Sequence, residues 1–303
     1  MASPQTGNRA GGVRPAEWIA LTPSWLAMLW LAAKAQWFWR TRPDLSFGWV
    51  VLLLCGYLFW EAWEKRPAPA SKSPWWGALL AAAGAAMLFL MQIYQAALGM
   101  NAACVNGVAA GAMLIVCGNL GFVYGWRGLW HFLFPYAFLL VALPMPSFLN
   151  GPLVHGLQRW VTTITVEFLN LIGVPAVHSG TLIELPVGAV GVNEACSGIR
   201  SLQSTVMATL FIGYVSFRRN WMRLALVLVG MGLAVLGNLI RAVFLSLSAM
   251  RGGIKAVNEV HDAAGWSILL FTLIGVALLA WGFGKLEKRY DAAAAGLSKS
   301  AEP

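Results

Sequence analysis

Apolar blocks about as long as a membrane is thick alternate along this chain with short polar stretches. Segments of about 17–25 apolar residues can cross a bilayer as helices. Eight are predicted: about 18–39, 46–63, 75–98, 102–124, 129–148, 198–217, 224–248 and 266–284. The first has the weakest pattern, because Pro23 and Lys34 interrupt it. Residues 151–173 follow another rule. His155, Arg159, Thr163 and Glu167 recur every four positions, with Gln158, Thr162 and Asn170 on the same face. Leu153, Val161, Ile164, Phe168 and Leu171 oppose them, so this helix is predicted to lie along the membrane interface, polar face outward. The stretch GTLIELPVGAVGV, residues 180–192, alternates around a Pro-Val-Gly turn and predicts a short β-hairpin. The expected fold is thus an all-α polytopic membrane protein of about eight transmembrane helices, with an interfacial amphipathic helix and a short outer-face hairpin. One multi-span domain, 18–290, lies between a polar N-terminus, 1–17, and an Ala- and Ser-rich tail, 291–303, expected to be disordered.

Composition agrees: 59% of residues are hydrophobic and 11% charged, against about 45–50% and 25% in soluble domains. A net charge of +9 would suggest a nucleic-acid partner in a soluble chain. Here the basic residues punctuate apolar blocks, so they set orientation and no nucleic acid is expected. The runs are Lys65, Arg66 and Lys72; Arg127; Arg218, Arg219 and Arg223; and Lys285, Lys288 and Arg289. The positive-inside rule makes them, and both termini, cytoplasmic. Arg40 and Arg42 then fall outside, against the rule. The first apolar block lacks a small-residue cleavage site, so no removable signal peptide is expected. The four Cys are widely spaced, with no disulfide framework and no CxxC pattern. No His/Cys/carboxylate cluster has ligand spacing, so neither metal nor organic cofactor is expected.

With this topology three unusual residues converge on the outer face. Cys196, in VNEACSGIRS, precedes the sixth span. Arg241 lies in the outward half of the seventh, where a charge is costly in lipid and needs a polar interior. His261, in NEVHDAAGW, just precedes the eighth. A thiol at a helix N-terminus near cations is expected to be rich in thiolate, the form that attacks acyl groups. An imidazole can take the thiol proton and return it to a leaving amine. A guanidinium can stabilise the oxyanion while keeping its own charge. Arg200 and Ser204, four and eight residues after Cys196, share its helical face, and Glu194 and Asn238 complete the supporting set. Plainer readings exist: Cys196 as a small packing residue, Arg241 as an ion-pair partner of Glu194 or Glu259, His261 as a capped loop residue. The three together are harder to explain that way. His178 is the rival base.

LIELPVGAVGVNEACSGIRSL, followed about 45 residues later by NLIRAVFLSL and about 20 further by VHDAAGW, resembles the exosortase and archaeosortase family of integral-membrane cysteine transpeptidases. DLSFGWVVLLL in the second span resembles the family's early Tyr-Ser-His-Gly segment, with Leu-Ser-Phe-Gly here; no role is expected for that position. The resemblance covers about residues 45–285 and implies catalytic Cys196, Arg241 and His261. It also implies substrates: secreted proteins with a C-terminal sorting tail of a short motif, Pro-Glu-Pro in many bacteria, then one membrane helix and a basic cluster. Cleavage through a thioacyl enzyme would pass the protein to an envelope or extracellular-matrix acceptor, whose nucleophile the sequence leaves open. The implied location is the inner membrane of a Gram-negative bacterium. The amphipathic helix and the hairpin would roof the site against water. Two other classes compete: a transporter or flippase binding an anionic headgroup, and a non-catalytic scaffold of an exopolysaccharide system. A transporter favours midplane charges and paired broken helices, whereas this chain gathers its ionisable groups at one face.

Overall fold

Short polar residues turn the apolar blocks into separate helices. Asn101 accepts a hydrogen bond from the Cys104 amide at 2.9 Å, an N-cap, while Gly99 ends the preceding helix at φ 73°, a conformation that favours glycine. The structure is a computed structural model that describes residues 15–71, 73–191 and 199–300. Its elements are α1 (Pro15–Ala20), α2 (Thr22–Thr41), a 3-10 turn (Pro43–Leu45), α3 (Gly48–Glu64), α4 (Trp75–Leu98) and α5 (Ala102–Ala137), extended by a 3-10 segment (Phe138–Ala142). Then follow α6 (Ser147–Leu171), β1 (Val177–Ser179), β2 (Leu182–Leu185), β3 (Gly188–Gly191), α7 (Ile199–Ser216) and α8 (Asn220–Ser300).

Among the described residues four helical runs are long and apolar enough to cross a membrane: Pro43–Glu64, Trp75–Leu98, Ala102–Ala142 and Asn220–Ala293. In the most apolar 18-residue stretch of the second and of the fourth, only 11% and 17% of residues are buried inside the protein. Apolar helices left so open need lipid as their solvent. Two of the runs are broken, at Gly125 in α5 and at Gly252 and Gly253 in α8.

The chain divides into two compact units, Met1–Thr41 with Cys55–Pro144 and Arg42–Leu54 with Met145–Pro303. In the first, α4 and α5 touch backbone to backbone. A Cβ on Gly77 would lie 2.7 Å from the Gly118 carbonyl oxygen, and one on Gly84 2.6 Å from that of Gly111. This is the small-residue packing that lets helices associate in lipid. Lys34, which interrupts the first apolar block, donates to Gln95 Oε1 at 2.7 Å and Gln92 Oε1 at 3.4 Å, so its charge has polar partners.

In the second unit β1, β2 and β3 form an antiparallel sheet in that order. Leu185 pairs with Gly188 around Pro186 and Val187, the hairpin expected from the sequence, and β1 adds a third strand that the sequence did not announce. Asn170 accepts from the Ala176 amide and donates to its carbonyl, both at 2.9 Å, which pins the turn from α6 into β1. Ile183, Leu185 and Val190 pack with Val161, Val166 and Leu169 of α6 and with Leu245, Val257 and Ala264 of α8 in one apolar core.

The faces of α6 differ from expectation. Gln158, Thr162 and Thr165 are buried with Val161 and Leu169, while Trp160, Phe168 and Leu171 are exposed beside Arg159 and Glu167. Thr162 donates to the Gln158 carbonyl at 2.9 Å. A hydroxyl satisfied on its own helix can turn inward at little cost, so polarity misassigned this face. The tail also differs, since α8 continues to Ser300. Alanine has the highest helix propensity, and Asp291 is tied to Arg219 at 2.9 Å.

Candidate active site

Two consecutive glycines make the site possible. Gly252 (φ −138°, ψ 17°) and Gly253 (φ 68°, ψ −171°) break α8, and the chain doubles back. Beyond the break the arms run antiparallel: a Cβ on Gly237 would touch Ile268 at 3.0 Å, and one on Gly275 would meet Leu233. That pairing brings Arg241, on the first arm, against His261 on the second. Arg241 Nη2 lies 3.2 Å from His261 Nε2 and donates to the His261 carbonyl oxygen at 3.3 Å. A guanidinium has no lone pair to offer, so Nε2 is the acceptor. The ring proton therefore sits on Nδ1, which faces Asp262 Oδ1 at 3.2 Å. The Asp262 side chain is 94% exposed, so this hydrogen bond orients the ring more than it stabilises the fold.

Arg241 and His261 line a cavity of about 480 Å³ that lies wholly within the second unit. Asn238, one turn before Arg241, lines it too and is 2% exposed. Ser201 and Ser204 reach the cavity from α7, and Phe47 and Asp44 from the segment before α3. Asp44 is held by Arg42, whose Nη2 donates to it at 2.8 Å. Among the described residues no group of three or more His, Cys, Asp or Glu could hold a metal ion.

Four of the expected site residues thus meet on one cavity: Arg241, His261, Asn238 and Ser204. Cys196 and Glu194 lie outside the described residues, and Arg200 is placed only as a residue of α7. His178 is exposed on β1 and does not line the cavity. Asp262, Asp44 and Phe47 were not foreseen. Asp262 carried a signal, an acid next to the expected base. Phe47 carried one as well, standing where the resembling family often has His.

No curated protein and no solved structure matches the chain. A family model does: Transmembrane exosortase (Exosortase_EpsH) matches residues 39–280, a stretch that contains the whole cavity. The chain belongs to the transmembrane exosortase family, membrane-embedded sorting transpeptidases that act on substrates carrying a sorting tag.

Proposed function

We propose that this chain is a cysteine transpeptidase of a bacterial inner membrane that removes Pro-Glu-Pro-type C-terminal sorting tails on the outer face and transfers the protein to an envelope or matrix acceptor. The observation that carries the reading is the Arg241–His261 contact on the wall of one cavity. It joins an oxyanion stabiliser to a proton carrier. Ser201 and Ser204 line the same cavity from α7, only five and eight residues after Cys196 in the sequence.

The Cys196 thiolate, its proton taken by His261 Nε2, attacks the scissile carbonyl carbon. The C–S bond forms as the carbonyl π pair moves onto oxygen. In the resting site Arg241 Nη2 occupies Nε2. The scissile carbonyl oxygen of a bound substrate takes the guanidinium from Nε2, so Nε2 is free when the thiol gives up its proton, and the bond from Arg241 strengthens as the oxyanion develops. Collapse breaks the C–N bond, the departing amine takes the proton from His261, and a thioester remains. An acceptor nucleophile gives its proton to the same Nε2 and bonds to the thioester carbon; the C–S bond then breaks, and the departing sulfur takes the proton back from His261 as the thiol. Water in that role gives hydrolysis.

The location is supported by helix length. Glu287 Oε1 accepts from the backbone amides of Arg218 and Arg219 at 3.0 and 3.2 Å, so the basic runs around residues 218 and 288 share one end of the unit. From Asn220 to Arg241 is 241 − 220 = 21 residues, or roughly 30 Å of helix at 1.5 Å per residue, about the thickness of the hydrocarbon core. A basic end held in the cytoplasm therefore carries Arg241 to the opposite face.

The test is co-expression of wild type or Cys196→Ala with a reporter ending in a Pro-Glu-Pro motif, a helix and a basic cluster. Tail loss with wild type alone is expected, and the mass of the new C-terminus separates transfer from hydrolysis. Equal processing in both, or none in either, would sink the enzyme reading and favour a scaffold or transporter.

A further inference from the structure

Asn238 is buried at 2% exposure and lines the cavity, and its Nδ2 has no hydrogen-bond partner among the described residues. Three buried hydroxyls of α7 and α8 behave differently. Ser246 donates to the Ala242 carbonyl at 2.9 Å, Thr205 to that of Ser201 at 2.7 Å and Thr272 to that of Ile268 at 2.8 Å. These side chains satisfy themselves on their own helices. A buried donor left unmade is costly and rare, and each case calls for a reason. Asn238 is also three residues before Arg241 on one helix, so the two share a face.

The chemistry of the pair selects the ligand. A neutral N–H donor beside a permanent cation suits an oxygen that carries or gains negative charge. It repels metal ions and ammonium groups, and it can neither take nor give a proton near neutrality. We infer that Asn238 Nδ2–H is the second hydrogen-bond donor to the substrate's scissile carbonyl oxygen, converging on it with an N–H of Arg241. This rests on the transpeptidase reading. When the C–S bond forms and the carbonyl electrons move onto oxygen, the Asn238 hydrogen bond shortens and strengthens without transferring its proton. Arg241 is released from His261 for the same oxygen. A fixed N–H donor aimed at developing negative charge favours a transition state over the ground state, and an amide with no other bond to break among the described residues can give its hydrogen to the oxyanion without losing one elsewhere.

The experiment co-expresses the Pro-Glu-Pro reporter with wild type, Cys196→Ala, Asn238→Ala and Asn238→Asp, normalised to membrane abundance. Asn238→Asp keeps the shape and removes the donor. In parallel, iodoacetamide labelling of the Cys196 peptide is followed by mass spectrometry, since alkylation of the thiolate forms no oxyanion. Processing by both Asn238 variants is expected to fall about 100-fold, with Cys196 alkylation within about twofold of wild type. A variant that processes within about threefold of wild type overturns the inference. Alkylation that falls in step with processing also overturns it, because Asn238 would then be structural. A reporter signal equal in wild type and Cys196→Ala, or absent from both, overturns the transpeptidase reading and this one together.

Discussion

Arg241 uses one nitrogen for two bonds, to His261 Nε2 and to the His261 carbonyl. Only a flat, branched cation presents donors in such a fixed fork; an ammonium is a single point on a flexible stem. Arg241→Lys therefore keeps the charge and loses the geometry. Processing of the reporter is expected to fall by about 100-fold, with membrane abundance unchanged, as quantified by tail loss per molecule of enzyme. Glu287 gives a prediction of another kind. It is 8% exposed and accepts two backbone amides at the turn into α8. Glu287→Ala leaves both donors without their carboxylate, a loss of roughly 1–3 kcal/mol, read as lower thermal stability in detergent with little change in the reaction per folded molecule.

At the scale of elements, the reversal in α8 matters most. Gly253 has φ 68° and ψ −171°, a region essentially confined to glycine, where any side chain costs on the order of 1–3 kcal/mol. Gly253→Ala and Gly253→Val should thus both lower the melting temperature, Val more because its branched side chain is stiffer, and activity should fall faster than stability because Arg241 and His261 sit on opposite arms. Ile183 is fully buried where the sheet meets α6 and α8. Ile183→Ala is expected to cost roughly 2–5 kcal/mol. If the sheet shields the thioester from water, the same variant raises hydrolysis relative to transfer; an unchanged product ratio would remove that role from the sheet. The α4–α5 contact is its counterpart in the first unit. A Cβ on Gly118 would lie 2.5 Å from the Gly77 carbonyl oxygen, so Gly118→Leu must part the two helices, and membrane abundance on immunoblots should drop sharply.

At the scale of the whole molecule, the exposed apolar surface of α4 and α8 and the exosortase match make this a membrane protein. Orientation is a separate matter, governed by the basic runs. A fluorescent protein fused after Pro303 is expected to fold and fluoresce in the cytoplasm, and alkaline phosphatase fused after Arg251 to be active outside. Reversal of both signals would place the cavity on the cytoplasmic side and refute outer-face cleavage of secreted substrates. The break at Gly252 and Gly253 shows why whole-molecule topology needs more than helix counting, because one continuous helical stretch of 81 residues contains two antiparallel arms.

Hydrophobic length, basic punctuation and the motifs around Cys196, Arg241 and His261 were decisive by themselves. They are local properties, and a bilayer reads hydropathy one segment at a time, so membrane character and family were legible before any fold was known. The hairpin at 182–191 was legible for the same reason, since alternation around Pro186 and Val187 needs only neighbours. Tertiary structure alone decided what depends on distant partners. It turned Gln158 and Thr162 inward on α6, where the Thr162 hydroxyl donates to the Gln158 carbonyl and the Gln158 side-chain oxygen meets His155 Nδ1 one turn away. It added β1 to the sheet through pairing with β2. It put Phe47 and Asp44 on the same cavity as His261, more than 200 residues away in sequence. It left Asn238 Nδ2 buried with no partner among the described residues, on the same cavity as Arg241, a feature no sequence pattern encodes because it is defined by what the described neighbouring helices do not supply.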